Sequence, residues 1–281
     1  MQTKSLGDRM KEYEAVSKTR LVKRMPVIIR IDGKAFHTFA KHFTKPFSCV
    51  MGYVMAETTK KLCEEIQGTC IGYTQSDEIT LVLQSYKKLT TDAWLDNEVQ
   101  KICSIAASLA TYHFNRIWHS LDYKKLHELT EQEIQMFRST DKNVQDMDTH
   151  ELESQIASRI MTYTDADNKI KLFDARCFNI PKEEVCNNLI WRQQDATRNS
   201  IEAFGRAMFS SKQLHNKNTS QIQDMAMEAY NKNWNMMSTV AKRGCCVINT
   251  ENGWVIDKEI PIFTQNRDYV ENTFIFEEEE N

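Results

Sequence analysis

The chain has 281 residues and is 41% hydrophobic, enough for one large domain or two modest ones with a sizeable buried core. No stretch approaches the ~18 to 20 consecutive apolar residues of a membrane span, and the polar start MQTKSLGDRMKEYEAVSKTR lacks an apolar signal core, so a cytoplasmic protein without membrane contact is expected. The net charge of −3 owes four negative charges to Glu277 through Glu280, which leaves about +1 elsewhere and permits RNA binding through local basic patches.

The opening segment reads as a polar helix. Pro26 then precedes Val27-Ile28-Ile29-Arg30-Ile31, a β-branched run suited to a buried strand that closes at Asp32-Gly33. Beyond a loop holding Pro46, residues 47–66 place Val50, Tyr53, Val54, Leu62 and Ile66 at helical spacing, and Gly68 stops the helix. Cys70 to Thr74 and Ile79 to Leu83 read as a hairpin joined by Gln75-Ser76-Asp77-Glu78. Residues 97–118 repeat the helical pattern, and Leu172 to Phe178 supplies a closing strand.

The strand-helix-strand-strand-helix order predicts an α+β fold built on a ferredoxin-like split βαβ sheet. Residues 120–168 are polar and nearly free of Gly and Pro, which fits exposed helices or an insertion. Helices are expected over 189–209 and 221–240, followed by a strand pair, Cys245 to Asn249 with Gly253 to Ile256. With no internal repeat or proline-rich linker, residues 1–281 read as a single catalytic domain, with a core over about 20–180 and a helical C-terminal part over about 181–281.

Eight cysteines form no Cys-x-x-Cys pair, and the seven histidines miss the spacings of a His-based metal site, so neither group predicts zinc. The Met-rich stretch Met225 to Met237 reads as core or subunit interface.

Chemistry concentrates at two acidic turns. Asp32 closes a buried strand and Asp77 sits in the neighbouring hairpin turn, so two carboxylates meet at the sheet edge. Such a pair suits two Mg2+ ions, one lowering the pKa of an attacking hydroxyl and the other neutralising a leaving phosphate. Magnesium needs few protein ligands, and the Gly33 carbonyl is a candidate third. Taken alone, Asp-Gly and Ser-Asp-Glu are also ordinary turn sequences.

The wider context is more specific. Arg30-Ile31-Asp32-Gly33-Lys34-Ala35-Phe36-His37-Thr38-Phe39 and Tyr73-Thr74-Gln75-Ser76-Asp77-Glu78 resemble the RIDG-x-x-FHxF and Y-x-QSDE motifs of the tRNA-histidine guanylyltransferases. Phe173-Asp174-Ala175-Arg176 and Trp191-Arg192-Gln193-Gln194-Asp195 resemble that family's FDAR and WRQ-x-D blocks. The resemblance implies a polymerase/cyclase-type palm with helical additions and a homotetramer. It implies that Asp32, Gly33 and Asp77 hold the metals, with Glu78 a further catalytic candidate. It also implies that Asp32, Gly33, Lys34, Ala35, Phe36, His37, Ser76 and Asp77 line the nucleotide, GTP or another NTP, with ATP serving to activate the RNA end. For Phe36 and Phe39 the pattern favours core packing.

One block departs from the family. Where the guanylyltransferases carry HINNLYN after WRQ-x-D, this chain reads Thr197-Arg198-Asn199-Ser200-Ile201-Glu202-Ala203. That change resembles the guanylyltransferase-like branch, which rebuilds truncated 5′ ends by template-dependent 3′-to-5′ addition. The expected function is therefore 5′-end repair of tRNA, with addition of the extra guanosine of histidine tRNA as the alternative. A nucleotide cyclase or a non-catalytic RNA- or NTP-binding module are more distant ones. The expected tRNA contacts are Lys23, Arg24, Arg30, Arg192, Arg198 and Asn199, drawn from the basic clusters and the divergent block, with Lys18, Arg20, Lys242 and Arg243 in the same clusters.

Overall fold

The computed structural model describes residues 4–43, 45–86, 88, 90–141, 148–165 and 169–274. The acidic tail Glu277 to Glu280 lies outside the described residues. The elements run α1 (Leu6–Ala15), β1 (Val27–Gly33), α2 (Phe36–Phe39), α3 (Cys49–Glu65), β2 (Thr69–Gln75), β3 (Glu78–Leu83), α4 (Val99–His119), α5 (Tyr123–Ser139) and α6 (Thr149–Asp165). The second half adds β4 (Phe173–Asn179), α7 (Val185–Arg206), α8 (Ser211–Leu214), α9 (Thr219–Tyr230), α10 (Thr239–Arg243), β5 (Cys245–Thr250), β6 (Gly253–Asp257) and α11 (Asp268–Glu271).

The strands form one sheet in the order β4-β1-β3-β2-β5-β6, with every neighbouring pair antiparallel. Its first four strands, with α3 and α4 as crossovers, have the split βαβ order expected from the sequence. The late strand pair is part of the same sheet, because β5 pairs along β2 from Thr74↔Cys245 to Ile71↔Ile248.

Alternation divides β1 between two cores. Val27, Ile29 and Ile31 join Ile79 and Leu81 against Val54 and Leu62 of α3 and Ala106 and Phe114 of α4. On the opposite face Ile28, Tyr73 and Val82 pack on Val185 and Leu189 of α7 and on Ile260, Phe263 and Val270. A third cluster joins Ile201 and Phe204 of α7 to Ile222 and Ala226 of α9, Trp234 and Met237.

Two readings need correction. Residues 120–168 are more than an exposed insertion, since Leu126, Leu129 and Ile134 of α5 and Ile156, Ile160 and Tyr163 of α6 complete the first core. The helix expected over 221–240 is broken: α9 ends at Tyr230, capped by left-handed Asn231, and α10 starts again at Thr239 behind the Ser238 cap. Asn tolerates the left-handed cap without a glycine, so no strong breaker marks the end in sequence. All eight cysteines are free. Met237 is buried in the third core and Met225 packs against it, whereas Met236 is exposed.

Gly244 links α10 to β5 at φ +81°, where an added Cβ would stand 2.3 Å from the Thr74 carbonyl oxygen. The neighbouring Arg243 carbonyl accepts a 2.6 Å hydrogen bond from the Tyr73 hydroxyl. Gly244→Ala is therefore expected to destabilise the protein by about 1–3 kcal/mol in urea unfolding, through left-handed strain and displacement of β5 from β2.

Candidate active site

The catalytic candidates follow from strand pairing. Asp32, near the end of β1, lies directly opposite Glu78 of β3 on one side and Asp174 of β4 on the other. Directly paired residues share a sheet face, so Asp174, Asp32 and Glu78 form a row of carboxylates on the α7 side. Behind it, Arg176, Arg30 and Thr80 form the next row on the same face.

Asp77 enters from the tight turn between β2 and β3. Ser76 takes the left-handed conformation, φ +51°, and its hydroxyl lies 2.9 Å from Oδ1 of Asp77. The Gly33 amide donates to the Asp77 carbonyl at 3.0 Å, stitching the two acidic turns together. Gly33 must be glycine for close approach, since a Cβ would meet the Phe36 ring at 2.3 Å.

The following loop has only part of its backbone free. The Gly33 amide is used by Asp77, and the Lys34 amide donates to Leu172 at 2.8 Å, so neither is left to cradle a phosphate. The exposed Lys34 side chain and the loop at left-handed Ala35 remain accessible. The Phe36 ring is buried against Phe39, Phe114 and Phe173, leaving its main chain as the part a nucleotide can meet. His37 is exposed, with Nε2 3.1 Å from the Thr38 hydroxyl.

Burial pushes the Asp32 carboxyl above its ordinary range, Asp174 adds to that, and Arg30, Arg176 and Arg192 oppose it. Burial likewise raises Asp77, opposed by the Ser76 hydrogen bond and reinforced by Asp32. These are anionic donors held where they repel one another, a condition that a divalent cation relieves. Among the described residues no group of three or more His, Cys, Asp or Glu is placed to hold a metal. Two carboxylates with a backbone carbonyl nevertheless suit Mg2+, which retains waters and phosphate oxygens as its other ligands.

Glu78 is 5% exposed, and its carboxylate receives two hydrogen bonds from Arg192, Nε to Oε1 at 2.6 Å and an Nη to Oε2 at 2.8 Å. Arg30 approaches Oε2 at 3.3 Å as an ion pair, without hydrogen-bond alignment. Arg192, also 5% exposed, extends to Asp195 at 2.9 Å, which pairs with Arg198 and accepts from Asn199. The guanidinium expected to meet RNA therefore lies inside the protein. Arg198, Asn199, Lys23 and Arg24 are all exposed; Lys23 pairs with Asp96 at 3.0 Å and Arg24 occupies a left-handed turn.

Sequence reading missed the structural use of Arg192, although the Arg192-x-x-Asp195-x-x-Arg198 spacing is a helical i, i+3 ladder. It also missed a cavity of about 190 Å³ beside the Ser76 turn, whose wall includes Phe43, Phe47, Asn199, Ser200 and Arg243. Those residues come from three separate stretches of chain and share no motif.

The family model for tRNAHis guanylyltransferase matches residues 7–181. A solved bacterial tRNA(His) guanylyltransferase-like protein in complex with ATP is 38% identical, with a TM-score of 0.77 over 96% of this chain and 99% of that one. Another such bacterial structure, in complex with GTP, is 33% identical with a TM-score of 0.68 over the same shares. An uncharacterized protein of Acanthamoeba polyphaga mimivirus is 26% identical over 94% of this chain and 86% of its own length. The sheet and its helices accordingly have the palm-type fold.

Two outcomes test the electrostatics. Arg192→Met takes both hydrogen bonds from the buried Glu78 carboxylate, leaving only the unaligned Arg30 ion pair, and should cost about 3–5 kcal/mol in urea unfolding, with the double variant Glu78→Gln/Arg192→Met recovering much of the loss. Because Asp32 and Asp77 titrate higher folded than unfolded, metal-free stability should fall as pH rises through the window above the ordinary carboxylate value of 3.8. Asp77→Asn should flatten that fall and raise the metal-free Tm at neutral pH, while losing the stabilisation that added Mg2+ gives the wild type.

Proposed function

We propose, on the premise that this chain belongs to the tRNAHis guanylyltransferase family of nucleotidyltransferases, that it rebuilds the 5′ end of tRNA by template-dependent 3′-to-5′ nucleotide addition. The observation that carries the reading is the divergent block from Thr197 to Ala203, together with full-length similarity to bacterial guanylyltransferase-like proteins.

In this reading Asp32, Asp77 and the Gly33 carbonyl hold two Mg2+ ions, which supply activation of the attacking hydroxyl and neutralisation of the leaving phosphate. Lys34, Ala35, Phe36, His37 and Ser76 line the nucleotide, with the base directed toward the cavity beside Ser76. The bacterial relatives were solved with ATP and with GTP, which supports both as ligands here.

The 3′-hydroxyl oxygen of the incoming NTP forms a bond to the 5′ phosphorus of the tRNA. The bond from that phosphorus to pyrophosphate, or to AMP after adenylylation, breaks. The protein's contribution is positioning and charge compensation. Glu78 acts from within the sheet, holding Arg192 and with it α7, while Asp32 and Asp77 meet the substrates. Base pairing with the opposite strand selects the nucleotide, and the protein reads backbone and shape, with Arg198, Asn199, Lys23, Arg24 and Arg30 on the RNA side. A homotetrameric assembly and one catalytic domain over residues 1–281 belong to the same reading.

The test is 5′ addition to a tRNA lacking its first residue, with Mg2+, each NTP and both 5′ phosphorylation states. Wild type is expected to add the nucleotide complementary to the 3′ strand, and Asp77→Ala to slow addition on the order of a hundredfold or more. Addition restricted to a guanosine on full-length histidine tRNA would instead make this a histidine-tRNA enzyme.

A further inference from the structure

We propose that Trp191 is a stacking platform for an unpaired nucleobase at the acceptor end of the RNA. The inference rests on tRNA being the substrate and assigns a site to a residue outside the catalytic set.

Trp191 is 52% exposed on α7, whereas Leu189, Ile201 and Phe204 of the same helix are buried. A lone exposed aromatic is ordinary on a protein surface, but this one has an organised underside. The Arg192 guanidinium carbon lies 4.4 Å from the ring centroid and that of Arg30 lies 5.9 Å away. Arg192 is hydrogen-bonded to the buried Glu78 carboxylate at 2.6 Å, and Arg30 stands 3.3 Å from the same carboxylate as an ion pair. The indole is thus held against a rigid cationic base, so stacking on its open surface costs little side-chain entropy.

Its surroundings suit single-stranded RNA. Arg198 lies two helical turns along α7 on the same stripe, and Arg176 lies opposite Arg30 on the edge strand β4; both are exposed. Each pairs with an acid, Arg198 with Asp195 and Arg176 with Asp174 at 3.5 Å, which a phosphate can replace. An aromatic plane flanked by arginines is the arrangement that binds an unstacked base and its backbone. Arg30 also spans the space between this platform and the acid row, standing two residues before Asp32 on one strand face.

The nucleotide cavity uses a different side of α7. Its wall takes Ala196, Asn199, Ser200 and Ala203, roughly a quarter-turn or more from Trp191. Loss of the platform should therefore weaken tRNA binding and spare NTP binding.

The test compares Trp191→Leu, which keeps apolar bulk, with Trp191→Phe, which keeps an aromatic face. tRNA affinity is measured without NTP, and KM is measured for tRNA and NTP separately. Trp191→Leu is expected to weaken tRNA binding about tenfold and Trp191→Phe to restore most of it, with the NTP KM unchanged. In the wild type, tRNA should quench a tryptophan fluorescence component that Trp191→Phe removes, a readout that survives if the leucine variant folds poorly. Equal tRNA affinity in all three proteins would overturn the proposal. So would a changed sedimentation coefficient at unchanged tRNA affinity, which would assign this face to a second copy of the chain. Because binding is read without turnover, failure of 5′ addition remains a separate result.

Discussion

The buried pair between Glu78 and Arg192 is the interaction on which the site's arrangement depends. Glu78 follows Asp77 in sequence and faces Asp32 across the strand pair, so its charge stands beside both candidate metal ligands. A carboxylate buried to that depth is costly unless a cation is delivered with matching geometry, and the two-pronged Arg192 contact provides one. The same contact fixes α7 over the open end of the sheet. Through α7 it extends to Asp195 and Arg198, and to the third core around Phe204 and Ile222.

With that charge balanced, the remaining acids can stand where solvent reaches them. Asp32 and Asp77 are only partly buried, yet both are pushed up by desolvation and by nearby carboxylates. Their placement stores repulsion in the absence of a counterion, while Ser76 and the Gly33 amide keep the two turns from moving apart. The division is between one acid that is neutralised internally and organises the scaffold, and two that are left to be neutralised by what binds.

Much of this was legible because local chemistry and global fold agree. The β-branched run before Asp32, the hairpin around Ser76-Asp77 and the two periodic helices specify the split βαβ core. The α5–α6 pair was obscured because its buried residues are spaced among many charges, so the segment reads as solvated although its stripes complete the first core. The break after α9 was hidden for a different reason: Asn231 provides the left-handed cap without Gly or Pro. Arg192 shows the limit of reading charge as surface. A guanidinium in a basic helix looks solvent-facing until the register puts Glu78 beneath it, and register between distant elements is set by tertiary packing.

The divergent block gains a physical meaning from its position on α7. Asn199, Ser200 and Ala203 line the cavity beside the Ser76 turn, whereas Arg198 projects on the side of Trp191. Ser200 is also structural, since its hydroxyl donates to the Ala241 carbonyl at 2.6 Å and accepts from the Trp234 indole at 3.0 Å, fastening α7 to the elements that close the cavity. Relative to the histidine- and asparagine-rich block of the guanylyltransferases, this sequence therefore changes the cavity wall as well as the polar surface beside Trp191. The helix that holds Glu78 in place thus also carries one wall of the cavity beside Ser76 and, on its other side, the exposed Trp191 and Arg198.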